Sequence, residues 1–185
     1  EGLAIGMDSV WDGGTTATAD AAGIRAQAGD DFIENEAAIT AYSSAVAPSV
    51  DVAITGKGLS VGISTATSTA SSVGIDSGAG DDQVLNRGAI TSTAYANADA
   101  ISVDIAGKGV AGSGNDVWDG GVEATASARG IDAGEGSNTV VNSGSVSTEA
   151  TATTVSAGVS IVGQGLSASI STATATAESI GIDPG

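Results

Sequence analysis

The feature that most constrains this chain is a long internal repeat, because a copied unit must pack against its own neighbours. Residues 56–76 read GKGLSVGISTATSTASSVGID, and residues 163–183, which lie 107 positions later, read GQGLSASISTATATAESIGID. Gly-Ile pairs mark a shorter repeat, with spacings of 51, 56 and 51 residues. The pairs are Gly23-Ile24, Gly74-Ile75, Gly130-Ile131 and Gly181-Ile182. The chain is therefore predicted to stack repeats of 51 and 56 residues within a 107-residue superrepeat.

An insertion explains the longer spacing. The 56-residue repeat contains Trp118-Asp119-Gly120-Gly121, and the same four letters stand at Trp11-Asp12-Gly13-Gly14. We treat residues 1–185 as one solenoid segment whose repeats begin near residues 23, 74, 130 and 181, with a partial repeat at each end. No capping sequence is recognisable at either end, so we expect the chain to belong to a longer array or to continue into further copies of itself.

The pattern inside each repeat has a period of two, which indicates β-strands. Ala94, Ala96, Ala98 and Ala100 alternate with larger or polar residues. Aromatic residues make up only 3% of the chain, so an ordinary globular core is excluded and a thin interior of small side chains is expected. We predict an all-β fold, a parallel β-solenoid (β-helix). Its predicted inward-facing layers are Ile24, Ile54, Ile75, Ile105, Ile131, Ile161, Val84 and Val140.

The number of coils per repeat follows from a weaker similarity inside it. Residues 65–80 resemble residues 91–109, since both pass from alternating Thr and Ala into a Gly-x-Gly turn. This similarity predicts two coils of about 24 to 32 residues in each repeat, and three coils of about 17 residues are the alternative. With strands about 4.8 Å apart, about seven coils would form a rod roughly 35 Å long.

The charge of the chain limits its partners. Lys and Arg total 5 against 22 Asp and Glu, which gives a formal net charge of -17. Such a surface opposes binding to nucleic acid and to anionic membranes and favours cations, although the acidity could also serve solubility alone. Residues 151–177 carry no charge, but they alternate Ser or Thr with Ala and contain three Gly, so we predict no membrane insertion.

Gly-rich turns with acidic residues are the candidate metal sites. Residues 76–84 read DSGAGDDQV and residues 111–119 read AGSGNDVWD, and both resemble the calcium-binding nonapeptide G-G-x-G-x-D-x-U-x of the RTX toxin family. The resemblance implies that carboxylates and backbone carbonyls bind Ca2+ there, because a hard cation prefers oxygen ligands. The alternative is a tight turn without metal. The candidate ligands are Asp30, Asp31, Asp76, Asp81, Asp82, Asn115, Asp116 and Asp119.

A second resemblance concerns short units that begin with Asn. Residues 86–90 read NRGAI and residues 142–146 read NSGSV, and both resemble the N-S-G-x-I units in passenger domains of bacterial autotransporter adhesins. The resemblance implies a right-handed β-helix at a bacterial surface, as in an adhesin stalk or a biofilm matrix. From the residues alone, Asn35, Asn86 and Asn142 share one register and predict a stacked amide ladder inside a turn.

These observations predict a structural protein: an extracellular or cell-surface rod that associates with itself end to end and contacts cell-surface or matrix polysaccharide. Catalysis is not expected, because the chain has no His and no Cys and its Asp pairs recur instead of forming one unique site. The alternative is a ligand-binding module, either calcium-binding or ice-binding. The Thr-x-Thr stripes at residues 65–69 and 172–176 are similar to the flat faces of solenoid antifreeze proteins.

Overall fold

A computed structural model of the chain describes residues 4–7, 14–114 and 121–185, with side chains described in the last two ranges. The described residues are all-β, and they contain no helix that could cross a membrane. Their strands are β1 (Ala4–Met7), β2 (Thr15–Arg25), β3 (Phe32–Asn35), β4 (Ile39–Ile63), β5 (Ala66–Asp76), β6 (Gln83–Asn86), β7 (Ile90–Gly114), β8 (Val122–Asp132), β9 (Thr139–Asn142), β10 (Val146–Ile170) and β11 (Ala173–Asp183).

These strands stack in three parallel sheets. The long sheet has the order β1-β4-β7-β10, the middle sheet has the order β11-β8-β5-β2, and the short sheet has the order β3-β6-β9. Paired residues lie either 51 or 56 positions apart; for example, Ile39 pairs with Ile90, and Ile90 pairs with Val146. The all-β architecture of stacked parallel strands is therefore confirmed in the described ranges, and it is consistent with a β-solenoid.

The prediction of two coils per repeat is wrong, and so is the alternative of three. Either would pair residues roughly 17 to 32 positions apart, whereas the observed partners are 51 or 56 apart. The two similar halves are instead facing layers, because the hydroxyl of Ser92 in β7 donates to the hydroxyl of Ser72 in β5 (2.9 Å). Each repeat adds one strand spacing, so the four strands of the long sheet rise only about 15 Å instead of roughly 35 Å.

Small side chains fill the space between these two layers. A cluster of buried residues, nearly all alanine, joins the long sheet to the middle sheet. Because an alanine side chain is a single carbon, these sheets can approach more closely than sheets with large side chains, which pack about 10 Å apart. The cluster consists of Ala45, Ala47, Ala66, Ala70, Ala94, Ala96, Ala98, Ala100, Val122, Ala124, Ala126 and Ala128.

Larger aliphatic side chains collect where the short sheet meets the end of the middle sheet and the start of the long one. Five of the residues predicted to face inward lie in this cluster. Ile75, Ile131 and Val84 are buried, while Ile24 and Val140 pack against them and are half-buried. The predicted inward layers are therefore confirmed at this end of the fold.

The other three residues predicted to face inward, Ile54, Ile105 and Ile161, face outward, so the predicted strand phase is wrong there. Ile54 and Ile161 are 65% and 53% exposed, and Ile105 is half-buried. The alternation that buries the alanines of β7 continues to Ser102 and Asp104, which are fully buried, and it turns the residues between them outward. We call the outward β-branched set the apolar stripe: Val50, Val52, Ile54, Ile101, Val103, Ile105, Val159 and Ile161.

The Gly-Lys-Gly segments are bends within the long strands. Gly58 and Gly109 have φ angles of 122° and 131°, which residues with a side chain rarely adopt. After the bend the chain returns opposite the residues that precede it, and the N–H of Gly62 donates to the carboxylate of Asp104 across the interior (2.8 Å). This return brings polar residues from both arms of the bend together.

Candidate functional site

The first column of turn carboxylates binds the backbone of the neighbouring repeat. Asp30 and Asp81 occupy equivalent turns 51 residues apart, and the carboxylate of Asp30 accepts the N–H of Asp81 (3.0 Å). The carboxylate of Asp81 in turn accepts the N–H of Ser137 (2.9 Å). These two predicted calcium ligands therefore have a structural task, because they hold successive turns in register.

A second column of turn side chains also accepts backbone N–H groups, but here each acceptor lies one repeat after its donor instead of one repeat before it. The carboxylate of Asp82 accepts the N–H of Asp31 (2.9 Å), and the side-chain oxygen of Asn138 accepts the N–H of Asp82 (3.0 Å). Asp82 is only 1% exposed, and its second carboxylate oxygen has no hydrogen-bond partner in the described part of the chain. Among the predicted ligands that the structure describes, Asp82 is therefore the one with a buried carboxylate oxygen that lacks a hydrogen-bond donor.

Asp76 does not join these columns. Asp76 pairs with Arg25 (3.0 Å), which also binds Asp20 (3.0 Å), and these contacts raise the pKa of Arg25, with Asp20 contributing most. Asn115, Asp116 and Asp119 lie outside the described residues. Within residues 14–114 and 121–185, no three acidic, His or Cys side chains form a group that could hold a metal ion.

The predicted amide ladder is confirmed. The amide nitrogen of Asn35 donates to the side-chain oxygen of Asn86 (2.7 Å), and the amide nitrogen of Asn86 donates to the side-chain oxygen of Asn142 (2.7 Å). Each of these nitrogens also donates to the carbonyl two residues further along its own chain segment, for example from Asn86 to Gly88 (3.0 Å). The ladder therefore ties the turns together both within and between repeats.

Sequence reasoning missed two interior carboxylates, Asp51 and Asp104. Asp104 is fully buried between the arms of the bend, where it accepts hydrogen bonds from the hydroxyl of Ser60 (3.1 Å) and from the N–H of Gly62 (2.8 Å). Asp51 is 9% exposed and lies on the same inner face of the long sheet. The period-two alternation from Ala94 onward, carried to its end, would have placed Asp104 inside.

Burial raises the pKa of the Asp104 carboxyl above its ordinary value, and the hydrogen bonds from Gly62 and Ser60 oppose the rise. A raised pKa in the folded state stabilises the fold below about pH 4, where an unfolded Asp also holds its proton, and this stabilisation is lost as the pH rises through the folded pKa. In metal-free buffer we therefore expect Asp104→Asn to be more stable than the parent near neutral pH, with a difference that shrinks toward about pH 4. Urea midpoints measured across this range test the expectation, and a difference that is independent of pH would contradict it.

Comparison of the chain with protein-family models, with curated proteins and with solved structures finds no match.

Proposed function

We propose that the chain is part of an extracellular or cell-surface β-solenoid rod with a structural or adhesive role, built from repeats of 51 and 56 residues in a 107-residue superrepeat. The observation that carries this proposal is the register, because described residues in all three sheets pair with their counterparts in the next repeat. A ladder of this kind can be extended by adding equivalent turns, which favours a rod over a closed globular domain.

Two glycines support the superrepeat. Gly14 and Gly121 stand at equivalent places 107 residues apart, and their φ angles are 73° and 75°. A shared left-handed conformation is expected if the two insertions fold alike. The tryptophans of these insertions, Trp11 and Trp118, lie outside the described residues.

The last strand supports end-to-end association of the chain with itself. Strand β11 lies at the edge of the middle sheet, and Ala175 and Ala177 within it are exposed. Their ladder partners Ala124 and Ala126, one repeat earlier, have no exposed surface. A further turn stacked on β11 would bury these alanines. It would also form hydrogen bonds with the backbone N–H and C=O groups along the open edge of β11.

We predict that the purified chain forms unbranched filaments by end-to-end stacking at low salt. Side-by-side growth should be weaker, because 22 acidic residues against 5 basic ones make the rods repel each other. That repulsion is screened beyond about 10 Å at 0.1 M salt. Bundles should therefore need added salt or a divalent cation, and light scattering with electron microscopy in both conditions provides the measurement.

A matched pair of variants tests where the filaments join. Ala175→Lys should prevent filaments, since stacking would bury an unpaired ammonium group. Thr176→Lys adds the same charge on the outer face of the same strand and should leave filaments intact. Both positions are exposed in the single chain, so neither change should unfold it. Particles that stay monomeric under every condition would rule out end-to-end assembly.

We propose no enzymatic role and no nucleic-acid partner. The Asp pairs that could act as acid and base are Asp30-Asp31 and Asp81-Asp82. Asp30, Asp81 and Asp82 each accept a backbone hydrogen bond from a neighbouring repeat. With a net charge of -17, the surface favours cations and neutral polymers, such as cell-surface or matrix polysaccharide.

Calcium binding at the turns is a second candidate function, and the observation that favours it is the free carboxylate oxygen of Asp82. Bound calcium would neutralise the stacked carboxylates of Asp31 and Asp82 and stiffen this edge of the rod. Filaments that form equally well with and without a chelator would remove calcium from the assembly mechanism.

Ice binding has one supporting observation. Thr18, Thr69, Thr125 and Thr176 form a continuous column on the outer face of the middle sheet. Glu123 interrupts the neighbouring column, which a flat ice-binding face would not tolerate well. A thermal hysteresis measurement on the purified chain decides between this role and the structural one.

A further inference from the structure

Two interior carboxylates turn toward the same point beside Gly62. A β-carbon built on Gly62 would lie 2.6 Å from an oxygen of Asp51 and 3.0 and 3.3 Å from the two oxygens of Asp104. A side chain at this position would displace the carboxylate of Asp51, so glycine gives the two carboxylates room to approach each other. We propose that Asp51 and Asp104, with the hydroxyls of Ser102 and Ser113, form an interior cluster that binds one divalent cation such as Ca2+.

The cluster contains two carboxylates, and a cation would balance their charge. Asp104 has no exposed surface, and its two hydrogen-bond donors, the Ser60 hydroxyl and the Gly62 N–H, are neutral. Neutral donors stabilise the carboxylate without cancelling its charge, and Asp51 adds a second carboxylate beside it. Two like charges in a site of low dielectric constant repel strongly. One divalent cation would neutralise both.

Two serine hydroxyls supply further oxygen atoms. Ser102 is 0% exposed and Ser113 is 5% exposed, and within residues 14–114 and 121–185 neither hydroxyl has a hydrogen-bond partner. Ser102 pairs with Asp51 in the long sheet, and Ser113 pairs with Gly62. Both hydroxyls therefore lie one strand further along the stack from the point where the carboxylates converge.

Ser113 also lies beside the next strand. Gly158 of β10 pairs with Ser102, and a β-carbon on Gly158 would lie 2.3 Å from the hydroxyl oxygen of Ser169 and 3.1 Å from that of Ser113. Glycine therefore leaves space beside β7 for these two hydroxyls. Carboxylate and neutral oxygen ligands together are the set that Ca2+ accepts, and water and backbone carbonyls commonly complete its six to eight ligands.

A proton shared between Asp51 and Asp104 is the competing explanation for two neighbouring buried carboxylates. Such a pair would need no metal, and its charge would be reduced by the proton alone. The two explanations differ in one measurable quantity, which is the number of calcium ions that the folded chain takes up near neutral pH.

The experiment strips the full chain with a chelator and measures calcium uptake by isothermal titration calorimetry, together with the thermal unfolding midpoint. We expect Asp104→Asn and Asp51→Asn each to lose one bound ion per chain relative to the parent, and to lose the calcium-dependent rise of the midpoint that this ion causes. Asp99→Asn is the matched control, because Asp99 lies on β7 with its side chain on the opposite face. This control should keep the full uptake.

Three outcomes would overturn the interior site. The parent could take up no calcium, which favours the shared proton. Asp104→Asn could bind as many ions as the parent. Asp82→Asn could be the one variant that binds fewer calcium ions than the parent, which would assign the ion to the turns. Circular dichroism establishes that each variant is folded, and none of these outcomes depends on filament formation.

Discussion

Replacing Ile75 by Asp is expected to destabilise the fold by at least about 4 kcal/mol, which would unfold a domain of ordinary stability. Ile75 has no exposed surface and lies in the aliphatic cluster with Val84, Ile90 and Ile131. The substitution removes apolar contacts that contribute roughly 1.5 to 3 kcal/mol for a buried aliphatic side chain. It also leaves a carboxylate without a positive partner in an apolar site. Urea unfolding followed by circular dichroism measures the loss.

The matched control is the same substitution in the apolar stripe. Ile54→Asp should change stability by no more than about 1 kcal/mol, because Ile54 is 65% exposed and the change affects mainly strand propensity. Ile105→Asp should also be mild, although Ile105 is half-buried between neighbouring strands. Equal losses for Ile75→Asp and Ile54→Asp would contradict the strand phase of the long sheet.

The inverted phase of Ile54 and Ile105 has a physical cause. Residue hydrophobicity predicts that Val and Ile lie inside, and this rule holds in the aliphatic cluster, where three sheets meet. Between the two facing layers, however, the interior is filled by alanine and serine. Large β-branched side chains do not fit in such a narrow space, so they lie on the outer face. The strict alternation of inward and outward residues, counted from Ala94, predicts the facing of these residues better than their hydrophobicity does.

The number of coils could not be read from internal similarity. Two successive turns of a solenoid and two facing layers of one turn both consist of small-residue strands that end in glycine turns. Residues 65–80 and 91–109 resemble each other because they line the same alanine interior from opposite sides. The 51- and 56-residue spacings were the stronger signal, since equivalent residues such as Asn35 and Asn86 pair directly.

The candidate site was predictable only in part. Asp30, Asp31, Asp81 and Asp82 were found because acidic residues after glycine mark turns, and the structure stacks them as columns. Asp104 was missed, because a lone Asp within an alternating strand ordinarily faces solvent. The alternation that begins at Ala94 was the local sign of its burial, and the bend returns Gly62 across the interior, where its N–H donates to the Asp104 carboxylate.

Replacing Asn86 by Asp is expected to cost about 3 kcal/mol or more, although it exchanges a single NH2 group for oxygen. Asn86 is fully buried at the centre of the amide ladder. Its NH2 group donates to the side-chain oxygen of Asn142 (2.7 Å) and to the carbonyl of Gly88 (3.0 Å). An ionised carboxylate in its place would face both acceptors without a proton, so two attractive contacts become repulsive.

The pH dependence of the stability of this variant distinguishes a loss of packing from a loss of the hydrogen bonds that the Asn86 NH2 group donates. Below about pH 4 the introduced carboxyl group can hold a proton and donate one hydrogen bond, so the loss of stability in Asn86→Asp should shrink there. Asn142→Asp is the matched control at the edge of the short sheet, where the residue is half-buried and water can solvate the new charge. It should cost about 1 kcal/mol. Urea midpoints near neutral pH and below about pH 4 measure both variants, and equal losses at the centre and at the edge would contradict a cooperative ladder.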